Sequence, residues 1–267
     1  MKKEDIMSWF NPNDTTRPVF TAEEHIRGKN LPGIWEALPD RAVVFFLGKG
    51  FPVVEEVFPT EEVLASLPGF ITHSRVLRVT GHEDVCFVHG GYGAPQAVCT
   101  AEALIALGVK EFLLVGLCGA FGEDLAVGDV LLPPQILSEE GTSHHYFENP
   151  EFCTVESPFP IETLAAYLQA QSFTVRQENT VTTDAPYRQT YHKEALWREM
   201  GCAAVDMEAS AFVNLCHYYG KKCAVALMVS DRHPLYEGAP PWQWGNESFA
   251  ELQRRFITSC ASFALAK

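Results

Sequence analysis

The sequence predicts an α/β protein built as a single-domain three-layer sandwich, with a mostly parallel but mixed central sheet and helices on both faces. Apolar runs of strand length alternate along the chain with amphipathic stretches of helical length, which is typical of parallel sheets. Two of these runs end in carboxylates, with Glu208 after the first and Asp231 after the second. Ligands of open α/β sheets bind outside the carboxyl ends of the strands. The pattern therefore predicts an enzyme cleft at that edge.

Length and composition favour one folded unit. The chain has 267 residues, of which 47% are hydrophobic, and this is enough for a large core. No composition break, internal repeat or low-complexity linker divides it. We expect residues 1–40 to form an N-terminal arm or extension and residues 41–267 to form one catalytic domain.

The charge and the cysteines exclude several classes of partner. A formal net charge of −14 without a basic stripe argues against nucleic acid and against an anionic membrane surface. The chain has no apolar run of membrane-spanning length and no signal-peptide core behind its N-terminus. Its eight cysteines include no C-x-x-C pair, so we predict no metal site, and their apolar surroundings suit a reducing compartment. We therefore expect a cytoplasmic protein.

The first half of the chain predicts four strands and one helix, separated by glycine-rich turns. In chain order these are strands at 42–47, 76–79 and 85–88, a helix at 95–107 and a strand at 112–115. The first strand breaks at Gly48, and the next two have the pattern of a hairpin around Gly81. The helix has Pro95 in its first turn and Gly108 as its stop signal.

The second half predicts further alternation of strands and helices. In chain order these are a strand at 130–132, helices at 161–170 and 192–200, a strand from 203, a helix at 208–219, a strand at 223–229 and a helix at 247–265. A strand that runs directly into a helix beginning at Glu208 places this carboxylate beside unpaired backbone N–H groups, which favour its charge.

Four segments together resemble a known family. They are residues 90–95 (GGYGAP), residues 115–120 (VGLCGA) with residues 127–130 (VGDV), residues 205–209 (VDMEA) and residues 229–231 (VSD). In this order and spacing they resemble the nucleoside phosphorylase superfamily, which holds purine and uridine phosphorylases and related hydrolytic nucleosidases. Residues 140–146 and 183–188 are similar to the uridine phosphorylase side of the group. The resemblance implies that family's fold and a homo-oligomer, because its sites often borrow residues from a neighbouring subunit.

The resemblance implies cleavage of an N-glycosidic bond through a transition state with positive charge on the ribose. Glu208 would accept hydrogen bonds from the 2′- and 3′-hydroxyls and stabilise that charge. Asp231 would protonate or hydrogen-bond the leaving base, which favours a purine, and its neighbours Met228 and Val229 are expected to raise its pKa. Each carboxylate also has a structural alternative, as helix-dipole partner for Glu208 and as turn cap for Asp231.

Further residues would contact the nucleoside. The resemblance places Met207 under the ribose, Tyr92 against it, and Pro186 and Tyr187 beside the base. The remaining candidates for substrate binding are Asp206, Cys118, Gly119, Ala120 and Arg188. For the aromatic residues and for Met207, packing in the core is an alternative of similar weight.

The phosphate site departs from the family pattern. Gly48 matches its first glycine, but Pro52 and Leu114 stand where arginines are expected, and Leu117 where a hydroxyl residue is expected. An oxyanion facing leucines loses charge-assisted hydrogen bonds worth roughly 1.5–3 kcal/mol each. Lys49, beside Gly48, is a candidate replacement. Arginines that could also reach the site are Arg75, Arg78 and Arg188.

Three functions remain open from the sequence. The leading hypothesis is a purine-type nucleoside phosphorylase that transfers ribosyl to phosphate as co-substrate, without a metal or organic cofactor. The second is a hydrolytic nucleosidase, for which Glu55 and Glu56 are candidates to activate water. The third is a nucleoside-binding protein that has lost catalysis. We assign no catalytic role to His144 and His145.

Overall fold

The computed structural model describes residues 11–29, 38–69, 74–245 and 248–266. Within them a 13-stranded mixed sheet carries helices on both faces, which confirms the predicted α/β class. The strands are β1 (Arg41–Phe46), β2 (Thr60–Leu64), β3 (Val76–Val79), β4 (Val85–His89), β5 (Glu111–Ala120), β6 (Val130–Leu131), β7 (Gln135–Ser138), β8 (Phe152–Thr154), β9 (Val175–Arg176), β10 (Asn179–Thr182), β11 (Cys202–Asp206), β12 (Lys222–Arg232) and β13 (Gln243–Trp244). The helices are α1 (Ala22–Gly28), α2 (Gly50–Val57), α3 (Ala94–Ala106), α4 (Ile161–Ala170), α5 (Tyr191–Glu199), α6 (Ala209–Tyr218) and α7 (Phe249–Leu265).

The longest predicted elements lie within a few residues of their predicted bounds. The hairpin of β3 and β4 is antiparallel, and Gly81 in its turn has φ +85°, a conformation that glycine adopts at little cost. The last helix begins at Phe249, whereas residue 247, where it was predicted to begin, is outside the described residues. The sequence predicted a strand only at 112–115, but β5 continues to Ala120 through its glycines.

Strand β5 is the axis of the sheet. Strand β12 runs parallel to it along one edge, from Lys222 beside Glu111 to Arg232 beside Ala120. The other edge is shared by β1, which is parallel to the first half of β5, and β11, which is antiparallel to its end. The parallel strands β4, β1, β5 and β12 therefore form the centre, and antiparallel pairs lie toward the margins. This arrangement brings the ends of β11 and β12 to the two sides of one residue, Gly119.

The core has two layers because side chains of a strand alternate between its faces. On β1, Ala42, Val44 and Phe46 join the cluster under α3 and α6. Val43 and Phe45 join the cluster under α2, α4 and α7. These two clusters on opposite faces confirm the three-layer sandwich.

The predicted N-terminal arm is described only in part, because residues 1–10 and 30–37 are outside the described residues. Helix α1 begins with a capping box formed by Thr21 and Glu24, and its Ile26 is buried in the cluster under α3. The division at residue 40 stays a prediction. No helix in the described part of the chain is both long and apolar enough to cross a membrane.

Candidate functional site

Glu208 lies where β11 passes into α6 and serves as the residue before the first helical turn. Its side chain is only 7% exposed. The carboxylate Oε1 accepts a hydrogen bond of 2.6 Å from the backbone N–H of Gly93, at the start of α3. The N-terminus of α3 therefore points at this carboxylate, whereas the first N–H groups of α6 donate to Asp206. Burial, with a smaller contribution from the charge of Asp206, raises the pKa of Glu208 to about 8.

Asp206 holds the start of α6. Its Oδ1 accepts hydrogen bonds from Thr182 Oγ1 at 2.7 Å and from the N–H groups of Glu208 and Ala209 at 2.9 and 3.0 Å. Its Oδ2 is buried and has no hydrogen-bond partner among the described residues. Burial raises the pKa of Asp206 to about 6. Asp206 thus orients Glu208 from below, while its role toward a substrate stays a prediction.

A buried polar network supports these two carboxylates, and it includes Glu140 and Ser143 from the segment at 140–146. Ser210, in the first turn of α6, donates its backbone N–H to Thr182 Oγ1 and its hydroxyl to Glu140. Glu140 is fully buried and also accepts hydrogen bonds from the N–H and hydroxyl of Ser143. The network fixes the N-terminal turn of α6, and with it Glu208.

Asp231 lies on the other side of β5, at a bulge of β12. The register shifts between Val229 and Asp231, and such a bulge redirects the side chains that follow it. Both oxygens of the carboxylate accept hydrogen bonds: Oδ1 from Ser230 Oγ at 2.6 Å, and Oδ2 from Trp242 Nε1 at 2.7 Å. The ring Nε2 of His233 lies 3.1 Å from the same Oδ2.

The expectation that Met228 and Val229 raise the pKa of Asp231 is wrong. Burial does raise it, but the hydrogen bonds from His233, Ser230 and Trp242 together outweigh burial. The pKa of Asp231 therefore lies below its usual value. Met228 and Val229 are buried in the two core layers, whereas the bulge turns Asp231 toward polar partners.

His233 bridges two buried carboxylates. Its Nδ1 lies 2.7 Å from Oε1 of Glu194 on α5, and its Nε2 contacts Asp231. Burial lowers the pKa of the imidazole, but the hydrogen bonds to Asp231 and Glu194 more than compensate and raise it to about 9. His233 is therefore an imidazolium at neutral pH. Sequence reasoning missed Glu194, His233 and Trp242, because none belongs to a motif that marks a site.

The end of β5 joins the two halves of the site. Gly119 is paired with Val205 of β11 and with Asp231 of β12. A Cβ on Gly119 would lie 2.5 Å from His233 Nε2, so only glycine fits. Since neighbouring strands are about 4.8 Å apart, β11 and β12 are separated by about 10 Å. Burial is the main cause of the raised pKa of Cys118, and the charges of Asp206 and Asp231 raise it further. Both carboxylates therefore act on the same residue of β5.

Tyr92 links Glu208 to the Gly48 turn. Its ring lies edge to face on His89, with centroids 5.4 Å apart. A Cβ built on Gly48 would lie 3.3 Å from the Tyr92 hydroxyl. The pKa of Tyr92 is raised, first by burial and then by the charge of Glu208. Lys49 is exposed and precedes the first turn of α2.

Several sequence candidates lie elsewhere. Arg75 is ion-paired with Glu55 at 2.9 Å and with Glu62, and Arg78 is ion-paired with Glu61. Glu56 is ion-paired with Arg254 at 2.8 Å. The two arginines and the two candidate glutamates for water activation are therefore engaged with one another or with other surface groups. Of the leucines in the phosphate motif, Leu114 is buried in the core and Leu117 is half-buried.

The 183–188 segment forms a short 3-10 turn at the surface, over Pro186–Arg188. Tyr187 is 99% exposed, and Pro186 and Arg188 are exposed as well. Within one chain, Tyr187 therefore does not pack against Glu208 or Asp231. Of the other predicted contacts, Met207 is half-buried, Gly119 is half-buried, and Cys118 and Ala120 are buried.

Two further observations concern the described residues as a whole. A cavity of about 360 Å³ lies at the opposite, amino edge of the sheet, lined by Arg41, Val85, Phe112 and Phe263 among others, and it contacts neither Glu208 nor Asp231. No group of three or more histidine, cysteine, aspartate or glutamate side chains in this part of the chain could hold a metal ion.

The comparisons with known proteins agree with the resemblance. The family model of the phosphorylase superfamily matches residues 41–266. A guanosine phosphorylase of Halorubrum lacusprofundi is 28% identical over 146 residues, which are 55% of this chain and 60% of that protein. A DeoD-type purine nucleoside phosphorylase of Clostridium novyi is 28% identical over 142 residues, 53% of this chain and 61% of that protein. The aligned part thus spans about three fifths of the length of these relatives.

Solved structures share the fold at low identity. A purine nucleoside phosphorylase of Toxoplasma gondii has a TM-score of 0.70 at 20% identity and covers 94% of this chain and 100% of its own. A uridine phosphorylase of Vibrio fischeri has a TM-score of 0.69 at 18% identity, with 88% and 97% covered. A 5′-methylthioadenosine/S-adenosyl homocysteine nucleosidase of Campylobacter jejuni has a TM-score of 0.65 at 17% identity, with 85% and 97% covered. The neighbours therefore include phosphorylases and a nucleosidase.

Proposed function

The chain belongs to the phosphorylase superfamily, and from that premise we propose that it cleaves the N-glycosidic bond of a purine nucleoside. One observation carries the proposal: two buried carboxylates, Glu208 and Asp231, flank the end of β5 at the carboxyl edge of the sheet. Glu208 accepts a hydrogen bond from the N–H of Gly93 at the start of α3, and Asp231 accepts one from Trp242. A fixed negative charge in a dry site stabilises positive charge that develops on a sugar.

Glu208 is proposed to hold the ribose. As a carboxylate, it accepts hydrogen bonds from the 2′- and 3′-hydroxyls, and these strengthen as the sugar becomes positive. The raised pKa means that most of the free protein carries a neutral Glu208 at pH 7, so that Glu208 is mainly ionised only above pH 8. Tyr92, from the motif at 90–95, and Met207, next to Glu208 in the motif at 205–209, are proposed to contact the same sugar.

Asp231 is proposed to interact with the departing base. An acid at this position is typical of the purine-specific members that the sequence resembles, so we propose a purine. Cys118, Gly119 and Ala120 at the end of β5 supply the floor beneath it. Pro186, Tyr187 and Arg188 are exposed in one chain, and we propose that they complete the site in a homo-oligomer.

Phosphate is proposed as the acceptor of the ribosyl group, with no metal or organic cofactor. The relatives from Halorubrum lacusprofundi and Clostridium novyi are named as phosphorylases, and this supports phosphate. Lys49 beside the Gly48 turn supplies a positive charge there. Backbone N–H groups of such a turn also attract an oxyanion.

Hydrolysis is the second candidate, and the two leucines favour it. Leu114 is buried in the core under α3 and α6, so a bound phosphate gains no charged partner from that position. Arg75 and Arg78 are paired with glutamates and do not replace it. The loss of two charge-assisted hydrogen bonds weakens phosphate binding by several decades, at about 1.4 kcal/mol per decade.

Removing phosphate from the assay separates the two candidates. If phosphate is the acceptor, base release from a purine nucleoside stops in phosphate-free buffer and returns with added phosphate, measured by chromatography. Lys49→Met then raises the KM for phosphate by about tenfold, the effect of losing one exposed charge contact. Lys110→Met, an exposed lysine paired with Asp40, is the matched control and leaves that KM unchanged.

The other outcomes of this assay are also decisive. Undiminished base release without phosphate assigns the chain to the hydrolases. Saturable nucleoside binding without base release over hours supports the third hypothesis, a nucleoside-binding protein.

The pH dependence of kcat/KM should be bell-shaped with limbs near pH 8 and pH 9. Glu208 has to be ionised to accept hydrogen bonds from the ribose, so activity rises as pH passes its pKa of about 8. His233 contacts Asp231 and loses its charge as pH passes about 9, so Asp231 loses its cationic partner and activity falls. Steady-state kinetics across this range measure both limbs. Asp206→Asn removes the second cause of the raised Glu208 pKa and should move the rising limb to lower pH. A rising limb near the ordinary pKa of glutamate would contradict the assignment.

A further inference from the structure

The contact of Glu194 with His233 is not explained by packing or by the family motifs. Both side chains are largely buried, with exposed side-chain fractions of 7% for Glu194 and 14% for His233. They lie behind Asp231, in a line that runs from α5 through His233 to the end of β12. Burying charged groups is costly unless they are paired, so a buried row of three ionisable groups at a proposed site needs a reason.

We propose that His233 is a positioning residue that supplies, through Asp231, the proton for the leaving base, and that Glu194 holds His233 for this task. The inference rests on the proposed function, because it concerns how the base leaves. It adds a source for the proton, since Asp231 is ionised and holds no proton of its own.

Its hydrogen bonds keep Asp231 in the ionised form. Ser230 Oγ and Trp242 Nε1 donate to its two oxygens, at 2.6 and 2.7 Å. Donors of this kind stabilise the carboxylate and disfavour its protonated form. Asp231 is therefore ionised at neutral pH and carries no proton of its own to give. The proton nearest to its Oδ2 that can leave is on His233 Nε2, at an N–O distance of 3.1 Å.

The charged groups around His233 keep it protonated. Glu194 on α5 faces Nδ1, and Asp231 on β12 faces Nε2. The two arginines in this region point at backbone carbonyls: Arg198 on α5 donates to Phe121 and Leu235, and Arg232 donates to the loop after β5. Strand β5 presents the backbone of Gly119. Two carboxylates thus face one imidazolium, which is consistent with its raised pKa.

One proton moves from His233 through Asp231 to the leaving base, and each bond that breaks is matched by one that forms. As the glycosidic C–N bond breaks, its electron pair stays on the base, and a base nitrogen takes the proton from Asp231 Oδ2. Asp231 Oδ2 receives a proton from His233 Nε2, so that one N–H bond breaks and one O–H bond forms before the proton moves on. His233 is left neutral, with Nδ1–H donating to the Glu194 carboxylate. Water returns the proton to His233 after the products leave.

Asp231 is only 6% exposed, and one of its oxygens is contacted by Trp242. The indole N–H of Trp242 donates to Oδ2, and its ring lies 6.0 Å from that of Trp244 on β13, the strand that pairs with Asp231. A site with less water strengthens charge–charge interactions. His233 is therefore the better source of the proton than bulk water at this oxygen.

The first arm of the test needs no substrate. NMR titration of the His233 imidazole in the whole protein should give a midpoint near pH 9. Glu194→Gln keeps the size of the side chain and removes its charge, and it should lower that midpoint by about one pH unit or more. Glu199→Gln, on the exposed side of the same helix, is the matched control and leaves the midpoint unchanged. An unchanged midpoint in Glu194→Gln overturns the proposal.

The second arm compares two leaving groups. A purine nucleoside methylated at N7 already carries a positive charge on the base, so it needs no proton to leave. Glu194→Gln and His233→Gln should lower kcat/KM for unmethylated purine nucleosides by about 10²-fold, the lower end of the range for acid catalysis, and for the methylated nucleoside by about twofold at most. The falling limb of the pH profile should move with the NMR midpoint.

The outcomes keep the inference separate from the proposed function. Equal losses on both substrates mean that Glu194 and His233 only support the fold, and the proton relay is wrong while nucleoside cleavage stands. A wild-type protein that cleaves neither nucleoside refutes the proposed function, and with it the relay.

Discussion

Replacing Glu208 by Gln should lower kcat for a purine nucleoside by about 10²–10³-fold, the effect of removing one preorganised electrostatic group. Glutamine keeps the side-chain length and an oxygen that can accept from the Gly93 N–H. It loses the negative charge that stabilises the ribosyl cation. Steady-state kinetics at a pH above 8, where Glu208 is ionised, measure the change.

Glu162→Gln is the matched control for this variant. Glu162 also lies in the first turn of a helix, α4, but it is exposed and far along the chain from the site. It interacts with its helix dipole as Glu208 does, and its replacement should leave kcat unchanged. Near-wild-type turnover in Glu208→Gln would remove this residue from the proposed role.

Glu208→Gln should also make the protein more stable than the wild type at alkaline pH. The sign of this change in the free energy of unfolding separates a site residue from a helix-dipole partner. The pKa of Glu208 is raised from 4.5 to about 8 in the folded protein, so the folded state binds more protons than the unfolded state between these values. The free energy of unfolding therefore falls as pH rises through this range, by about 1.4 kcal/mol for each pKa unit. Glutamine has no charge to bury, so the variant does not lose this free energy at high pH. If Glu208 were only a helix-dipole partner, neutralising it would instead lower the free energy of unfolding by about 0.3–1 kcal/mol. Urea titrations at pH 5 and pH 9 distinguish the two.

The central strands and the position of Glu208 could be predicted from the sequence, because both are local properties. A buried strand shows as a continuous apolar run, and Glu208 follows one directly. The margins of the sheet were not predictable in this way. Strand β2 (Thr60–Leu64) carries Glu61 and Glu62 and is largely exposed, so it has no hydrophobic pattern. Strand β9 has two residues, too few for any period, whereas β6, equally short, was predicted from its apolar run at 130–132.

The partners of the site residues could not be predicted, because they are far apart in the chain. Glu208 is held by Gly93, 115 residues away, and His233 contacts Glu194, 39 residues away. The expectation about the Asp231 pKa was wrong for a different reason. The donors to Asp231 are close to it in the chain, namely Ser230, His233 and Trp242. The sequence pattern does not show the register shift in β12 that precedes Asp231, so it favoured the apolar neighbours Met228 and Val229 over these polar partners.

Replacing Asp231 by Asn should separate substrates by their leaving groups. Asparagine keeps the size of the side chain and one acceptor oxygen in place of two, and it cannot pass on a proton. We expect kcat/KM for unmethylated purine nucleosides to fall by about 10²–10³-fold, within the range for loss of a general acid. The N7-methylated nucleoside needs no proton and should lose little. Asp124→Asn, an exposed aspartate in the loop after β5, is the control and should leave both substrates unaffected.

The same substitution should also destabilise the protein through His233. One of the two carboxylates that face the buried imidazolium is lost, and breaking a buried ion pair costs about 3–5 kcal/mol when one partner is removed. Because the pKa of His233 is raised from 6.5 to about 9 by its partners, the cost should be largest below pH 6.5 and shrink as pH rises toward 9. A loss of stability that is independent of pH, together with equal kinetic losses on both nucleosides, would make Asp231 a turn cap rather than part of the chemistry. The pH dependence of stability and the kinetic losses on the two nucleosides therefore distinguish an Asp231 that acts on the base from one that only stabilises its own loop.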